Sequence, residues 1–281
     1  MGLAAGLPLI PFIHSGQDVI FFLLVMIRVT AFLLVVPIFA SRNFSKLSKM
    51  GFTLFVTTLL VVSLYPSYLG EHSQYSIEGL HFAKRFSLLP IILTGIKEFL
   101  VGYLIGFIYT FIFEAILVGG QIAGTMAGFG IMSMIDPMSD TSRPLLAQLF
   151  NLTITLLILS LDFHHLFFRQ IVQSFKMVPI GNYHMPFDLL QSLGQGSGRI
   201  FVYAIQCIAF PFLILFLVTM LLGLMAKVMP TMNVFIIGFP LKILVGVFSL
   251  VISIGFFPQI LQMSIYEFQN LIQVVLRYIG G

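Results

Sequence analysis

The side chains able to do chemistry are few, and most interrupt apolar sequence. Arg28, Lys97, Glu98, Glu114 and Lys242 each lie within or beside a long apolar run. A charge at the centre of a helix in lipid costs roughly 2.5–3.5 kcal/mol on insertion scales. Such residues face a protein interior or a water-filled cavity, where they form a structural pair or serve an ion pathway. Glu98 and Glu114 fit a proton relay, but the plainer reading is a buried acid paired with Arg28 or another cation. Lys97 and Glu98 are adjacent and point to different faces, so each needs a partner outside its own helix turn. A second group, Asp162, His164 and His165, closes an apolar run. Asp162 and His165 can share a helix face and His164 and His165 cannot; no His-Glu-x-x-His accompanies them. The group therefore reads as the wet end of a helix, and neither a metal nor a cofactor is expected. Gly194-Gln-Gly-Ser-Gly198 reads as a turn and lacks the order of a nucleotide fingerprint or a nucleophile elbow. No Walker motif and no Ser/His or Asp/Asp pairing is present, so the chain is not expected to be an enzyme.

The elements that must position these residues are apolar. Of 281 residues 59% are hydrophobic and 9% charged, against about 25% charged in soluble domains. The mean hydropathy is +1.07. This composition specifies an integral membrane protein or the apolar core of a membrane assembly. The net charge of +4 is spread thinly, without the basic runs and interleaved aromatics of a nucleic-acid binder. The lone Cys207 excludes an intrachain disulfide and reads as a small buried hydrophobe. Met1–Gln17 contains no Lys or Arg, so the first long apolar run is expected to stay as a helix rather than leave as a signal peptide.

Six apolar runs follow: Val19–Ala40, Phe52–Tyr65, Leu88–Val118, Leu145–Phe168, Ile200–Ala226 and Val234–Ile260. The loop Ser41–Lys49 carries Arg42, Lys46 and Lys49 and no acid, and is the clearest positive-inside signal. With the Lys227 turn it is expected on the cytoplasmic side, the termini opposite. The third run is too long for one simple span, since roughly 20 residues cross the hydrocarbon, and has room for a hairpin. Pro37, Pro211 and Gly238–Pro240 are expected kinks. Gln173–Arg199 reads as a polar connection, and Gln262–Gly281 as an amphipathic tail.

One stretch stands apart. In Gly119–Pro137, GGQIAGTMAGFGIMSMIDP, Gly120, Gly124 and Gly128 recur at spacing four, and Met126, Met132 and Met134 interleave with Phe129 and Ile131. Each glycine costs a helix roughly 1 kcal/mol against alanine. Either a glycine face lets two helices approach closely, or a mobile apolar loop with adaptable methionines fills a pore. The residues alone leave both open.

Several segments together resemble one family. They are Arg28-Val-Thr-Ala-Phe with Pro37-Ile-Phe and the basic turn to Gly51; Lys97-Glu-Phe-Leu-Val-Gly102-Tyr-Leu-Ile-Gly106-Phe; Gly119–Pro137; Leu146-Ala-Gln-Leu-Phe150 with His165; Ser174-Phe175 with Pro179-Ile-Gly181; and, most specific, Met229-Pro-Thr-Met-Asn233-Val-Phe-Ile-Ile-Gly238-Phe-Pro240-Leu-Lys242. In this order and spacing, over residues 19–265, the chain resembles the FliR/SctT family of type III secretion export-gate subunits, flagellar and virulence-associated.

The resemblance implies an all-α, membrane-associated fold of kinked helical hairpins. Residues 1–185 would resemble the P-type subunit, including the plug loop 119–137, and residues 186–281 the Q-type subunit. It further implies a structural role: helping to form and close the pore through which unfolded flagellar proteins cross the bacterial inner membrane. The implied partners are P-type and Q-type gate subunits, the B-type switch protein, export substrates and membrane lipid. The location would be the flagellar basal body, with parts raised towards the periplasm. With the resemblance, the plug reading is preferred: Gly124, Met126, Gly128, Phe129, Gly130, Ile131, Met132 and Met134 seal the pore, and Arg28, Glu98 and Lys242 make buried polar contacts between subunits. His164, His165 and Glu114 receive no role. The alternatives are the virulence counterpart and a secondary transporter using Arg28, Glu98 and Glu114. The transporter would show paired helix breaks in two related halves, which this sequence lacks.

Overall fold

The computed structural model describes residues 16–40, 45–68, 88–128, 145–183, 188–229, 231 and 233–280. Among them are nine helices and no strand: α1 (Gly16–Val35), α2 (Pro37–Ala40), α3 (Lys46–Tyr68), α4 (Leu88–Met126), α5 (Leu145–Ser160), α6 (Phe163–Met177), α7 (Asp188–Val228), α8 (Val234–Ser253) and α9 (Phe257–Gly280). Five of them are long and apolar enough to cross a membrane, and a sixth span arises if α5 and α6, bent by 70° at their junction, act as one.

Local sequence explains most of the boundaries. In α1 the buried residues Phe21, Leu24, Val25, Arg28, Val29 and Phe32 recur every three or four positions, one stripe of a helix. The helix stops before Pro37, which disfavours the α conformation in the residue ahead of it and then opens α2. Ser45 starts α3: its hydroxyl accepts the amide of Ser48 at 3.1 Å, satisfying one of the four amides left over at a helix start. Lys46 and Lys49 therefore belong to a helix rather than to the expected loop. In α9 the core-facing residues Phe257, Leu261, Ile265, Phe268, Ile272, Val275 and Ile279 keep helical spacing throughout. The expected amphipathic tail is a 24-residue helix that starts at Phe257.

Two long helices depart further from the sequence reading, and the second takes up much of the expected Gln173–Arg199 connection. The third apolar run forms no hairpin. It is one helix of 39 residues that continues through Gly119, Gly120 and Gly124 to Met126, about 58 Å at 1.5 Å per residue. The glycine cluster at 194–198 is not a turn but lies inside the 41-residue α7, which also runs through Pro211. A Cβ at Gly196 would meet Leu271 and Phe111, so close packing offsets the poor helix propensity there.

By internal packing the chain divides into two compact units, Met1–Phe107 with Phe168–Pro186 and Val274–Gly281, and Ile108–Phe167 with Phe187–Gln273. In the first, α1 packs on α3, and Phe39, Phe52 and Phe168 cluster with ring centroids 5.4–6.0 Å apart. In the second, α7 and α8 form the principal helix pair, and Phe150 meets Phe257 while Phe111 and Tyr203 meet Phe268. Burial is uneven. The apolar window of α4 is 67% buried, whereas those of α3, α7 and α8 are each 28% buried. Among the described residues these three helices leave most of their apolar windows unburied.

Candidate functional site

The first unit holds a charged knot. Arg28 sits mid-way along α1 on its core stripe, and Glu98 lies in the third turn of α4. Both are buried, at 0% and 2% exposure. Arg28 Nε donates to Glu98 Oε2 at 2.6 Å, Nη2 lies 2.6 Å from the same oxygen, and the guanidinium stacks 4.1 Å above the Phe175 ring. Nη1 donates to Ser174 Oγ at 3.3 Å and Nη2 to the Val178 carbonyl at 3.0 Å. The second oxygen of Glu98 accepts the amide of Gly181 at 3.1 Å. Gly181 has φ +84°, a conformation that side chains other than glycine rarely adopt. Ser174 Oγ in turn donates to the Ile171 carbonyl at 2.7 Å. The knot thus ties α1, α4, the end of α6 and the segment after it.

Close backbone approach makes this geometry possible. A Cβ at Gly102 would run into the Arg28 carbonyl, and one at Gly106 would lie 3.0 Å from the Phe32 carbonyl. The glycines at spacing four on α4 therefore bring its backbone against α1, one turn from the ion pair. Arg28 and Glu98 spend their polar groups on each other within one chain. Lys97, next to Glu98 but on another face, reaches the Gly181 carbonyl at 3.5 Å.

The second unit holds the described part of the glycine–methionine stretch. A Cβ at Gly119 would lie 2.8 Å from Ile208 and 2.9 Å from the Ala204 carbonyl of α7, and one at Gly120 would lie 2.8 Å from Ala147 of α5. Adjacent glycines on α4 thus admit two different helices. Gly124 is buried and Met126 half-buried at the helix end. Gly128 follows with φ +93° against the Phe239 ring, and this backbone state ends the helix. Phe129, Gly130, Ile131, Met132 and Met134 lie outside the described residues. The described part of the stretch is a helix-packing face: Gly119 and Gly120 admit neighbouring helices, and Gly124 and Met126, expected in the plug, lie within α4.

The remaining candidates are spread out. Glu114 is exposed on α4 between buried neighbours on either side. Lys242 is half-buried on α8, two residues after Pro240, and makes no ion pair among the described residues. Asp162, His164 and His165 gather at the junction of α5 and α6. Sequence reasoning missed Ser174, Phe175, the Val178 carbonyl and Gly181 as partners of the ion pair. Their neutral types carry no charge signal, although Ser174-Phe175 and Gly181 belong to segments that carried the family resemblance.

Apolar helices long enough to span a bilayer, tied among the described residues by a buried ion pair and by glycine contacts, define the chain as a helical membrane protein. The family model described as bacterial export proteins, family 1, matches residues 19–268, and the chain belongs to that family. It is 28% identical over 262 residues to the flagellar biosynthetic protein FliR of Bacillus subtilis (strain 168), covering 90% of this chain and 95% of that protein. It is 25% identical to the protein of the same name in Escherichia coli (strain K12), covering 79% of each. The counterpart in Pectobacterium carotovorum subsp. carotovorum is 25% identical, covering 91% of this chain and 92% of that protein.

Proposed function

We propose that this chain is a structural subunit of the flagellar type III secretion export gate, which helps form and close the pore that carries unfolded flagellar proteins across the bacterial inner membrane. The observation that carries this reading is the family match over residues 19–268, with relatives that are named flagellar biosynthetic proteins and match nearly end to end. The unburied apolar surfaces of α3, α7 and α8 are consistent with a chain that completes its burial against lipid and neighbouring export components.

The finer reading assigns those neighbours to P-type and Q-type gate subunits and the B-type switch protein, with part of the assembly raised towards the periplasm. In it residues 1–185 are P-like and 186–281 Q-like. The plug comprises Gly124, Met126, Gly128, Phe129, Gly130, Ile131, Met132 and Met134: the methionines, Phe129 and Ile131 seal, and the glycines allow the segment to move. Arg28 and Glu98 hold the hairpin faces that meet neighbouring subunits, and Lys242 makes a polar contact across such a face. The positive φ of Gly128 after a long, closely packed helix supports a segment hinged at that point.

Two experiments test this reading. Purification in mild detergent from the native operon, followed by mass analysis, should yield a stable complex with P- and Q-type subunits. A monomer or homodimer recovered with those partners co-expressed would favour a transporter instead. Deletion of Met126–Ile135 should leave that complex intact and make the membrane leak ions; an assembled complex with a tight membrane would sink the plug assignment.

A further inference from the structure

The junction between α5 and α6 brings together three metal-ligand side chains. α5 ends at Ser160 and α6 begins at Phe163, with a 70° bend between them. Asp162 has φ +58° and is the one non-glycine residue with positive φ among the described residues. Aspartate tolerates this left-handed state better than most side chains. His164 and His165 follow one another in the first turn of α6. One ligand atom from each of Asp162, His164 and His165 lies within 4.8 Å of the other two. Asp162 Oδ1 is 3.7 Å from His165 Nδ1, and the two imidazole rings have centroids 4.2 Å apart. His164 Nδ1 is shielded from solvent and has no hydrogen-bond partner among the described residues.

We propose that Asp162, His164 and His165 form a binding site for a divalent transition-metal ion of the zinc type, which pins the corner between α5 and α6. Two imidazole nitrogens and one carboxylate oxygen suit Zn²⁺ and its neighbours in the first transition row, and suit Mg²⁺ poorly. Three protein ligands leave a fourth tetrahedral position for water. Metal–ligand bonds of about 2.0–2.2 Å require the three donors to close by about an ångström from their present spacing. Asp162 and His165, 75% and 71% exposed, have the side-chain freedom to do so. The plainer account is a surface pair at a helix start, Asp162 with His165. That account leaves His164 Nδ1 unexplained, and a shielded polar atom without a partner calls for a bound water or ion.

The test uses the full-length protein in detergent, carried on a streptavidin-binding tag because a polyhistidine tag would itself bind metal. After chelation and dialysis the protein is titrated with Zn²⁺ alone, and retained metal is read by mass spectrometry. The wild-type chain should retain one Zn²⁺ and melt at a higher temperature with Zn²⁺ than with Mg²⁺. Asp162→Asn keeps a residue that accepts positive φ, and His165→Ala alters an exposed side chain, so both should elute and melt like the metal-free wild type. Each should bind Zn²⁺ at least tenfold more weakly. No retained Zn²⁺ in the wild type, or equal retention in both variants, would overturn the site.

Discussion

In the first unit a buried charged knot is added to the glycine contacts between helices; in the second the described contacts around the same helix rest on glycine alone. Around Arg28 and Glu98, specificity comes from direction: a guanidinium offers donors in a fixed fork, and a carboxylate, a hydroxyl and a carbonyl sit where the fork points. Around Gly119 and Gly120 it comes from proximity, because only hydrogen lies between α4 and the backbones of α5 and α7. The two devices fail differently. A polar knot has one correct arrangement, and losing a member leaves a buried charge unpaired. A glycine contact fails by sterics instead: a Cβ at Gly120 would lie 2.8 Å from the Ala147 Cα, so a larger residue must push backbone apart.

Glu98→Lys should have the largest effect. It places a second cation beside a fully buried Arg28, and breaking a buried pair costs about 3–5 kcal/mol. The fraction of protein eluting as a single species in mild detergent should collapse, and complex yield with it. The double variant Arg28→Met with Glu98→Met should recover part of that loss, because apolar replacements of a buried pair are often near neutral. A Glu98→Lys chain that behaves like wild type would end the contrast between the units. Next come Gly102→Leu and Gly120→Leu, one in each unit. Overpacking costs about 1–3 kcal/mol, read as a lower melting temperature in detergent. Because Gly102 also lies one turn from the ion pair, Gly120→Leu should cost less than Gly102→Leu; the reverse order would invert the comparison. Gly198→Ala has open space around the new methyl and should raise stability by up to about 1 kcal/mol through helix propensity. Smallest is Glu267→Gln, which removes the half-exposed ion pair with Arg199. Such pairs contribute about 0–1 kcal/mol, and a larger loss in melting temperature would show that charge matters in the second unit as well.

The sequence singled out Arg28 and Glu98 because a charge in an apolar run demands a partner, and the structure supplies each with the other. The rest of their surroundings was not legible: a serine hydroxyl, a backbone carbonyl and a backbone amide leave no trace in composition. Helix existence was readable from apolar length and helix extent was not. Gly194–Gly198 carries every local sign of a turn, yet Gly196 is packed beneath Leu271 and Phe111, and tertiary contact overrides propensity. The long third run invited a hairpin because membrane thickness was the only ruler applied to it. His164 and His165 were separated by helix-face spacing alone, yet their rings lie 4.2 Å apart at the start of α6, because long side chains on adjacent positions can lean together.

The length of α4 also has a consequence for how the protein is made. The hydrocarbon core is about 30 Å thick, roughly half of what this 39-residue helix spans. A newly synthesised copy therefore carries more apolar helix than a bilayer can shelter. The chain's own packing takes up the surplus, since the apolar window of this helix is 67% buried and its glycines meet helices made both before and after it. Insertion and folding are then coupled: until the later helices have been made, α4 has neither lipid nor protein to cover its full length.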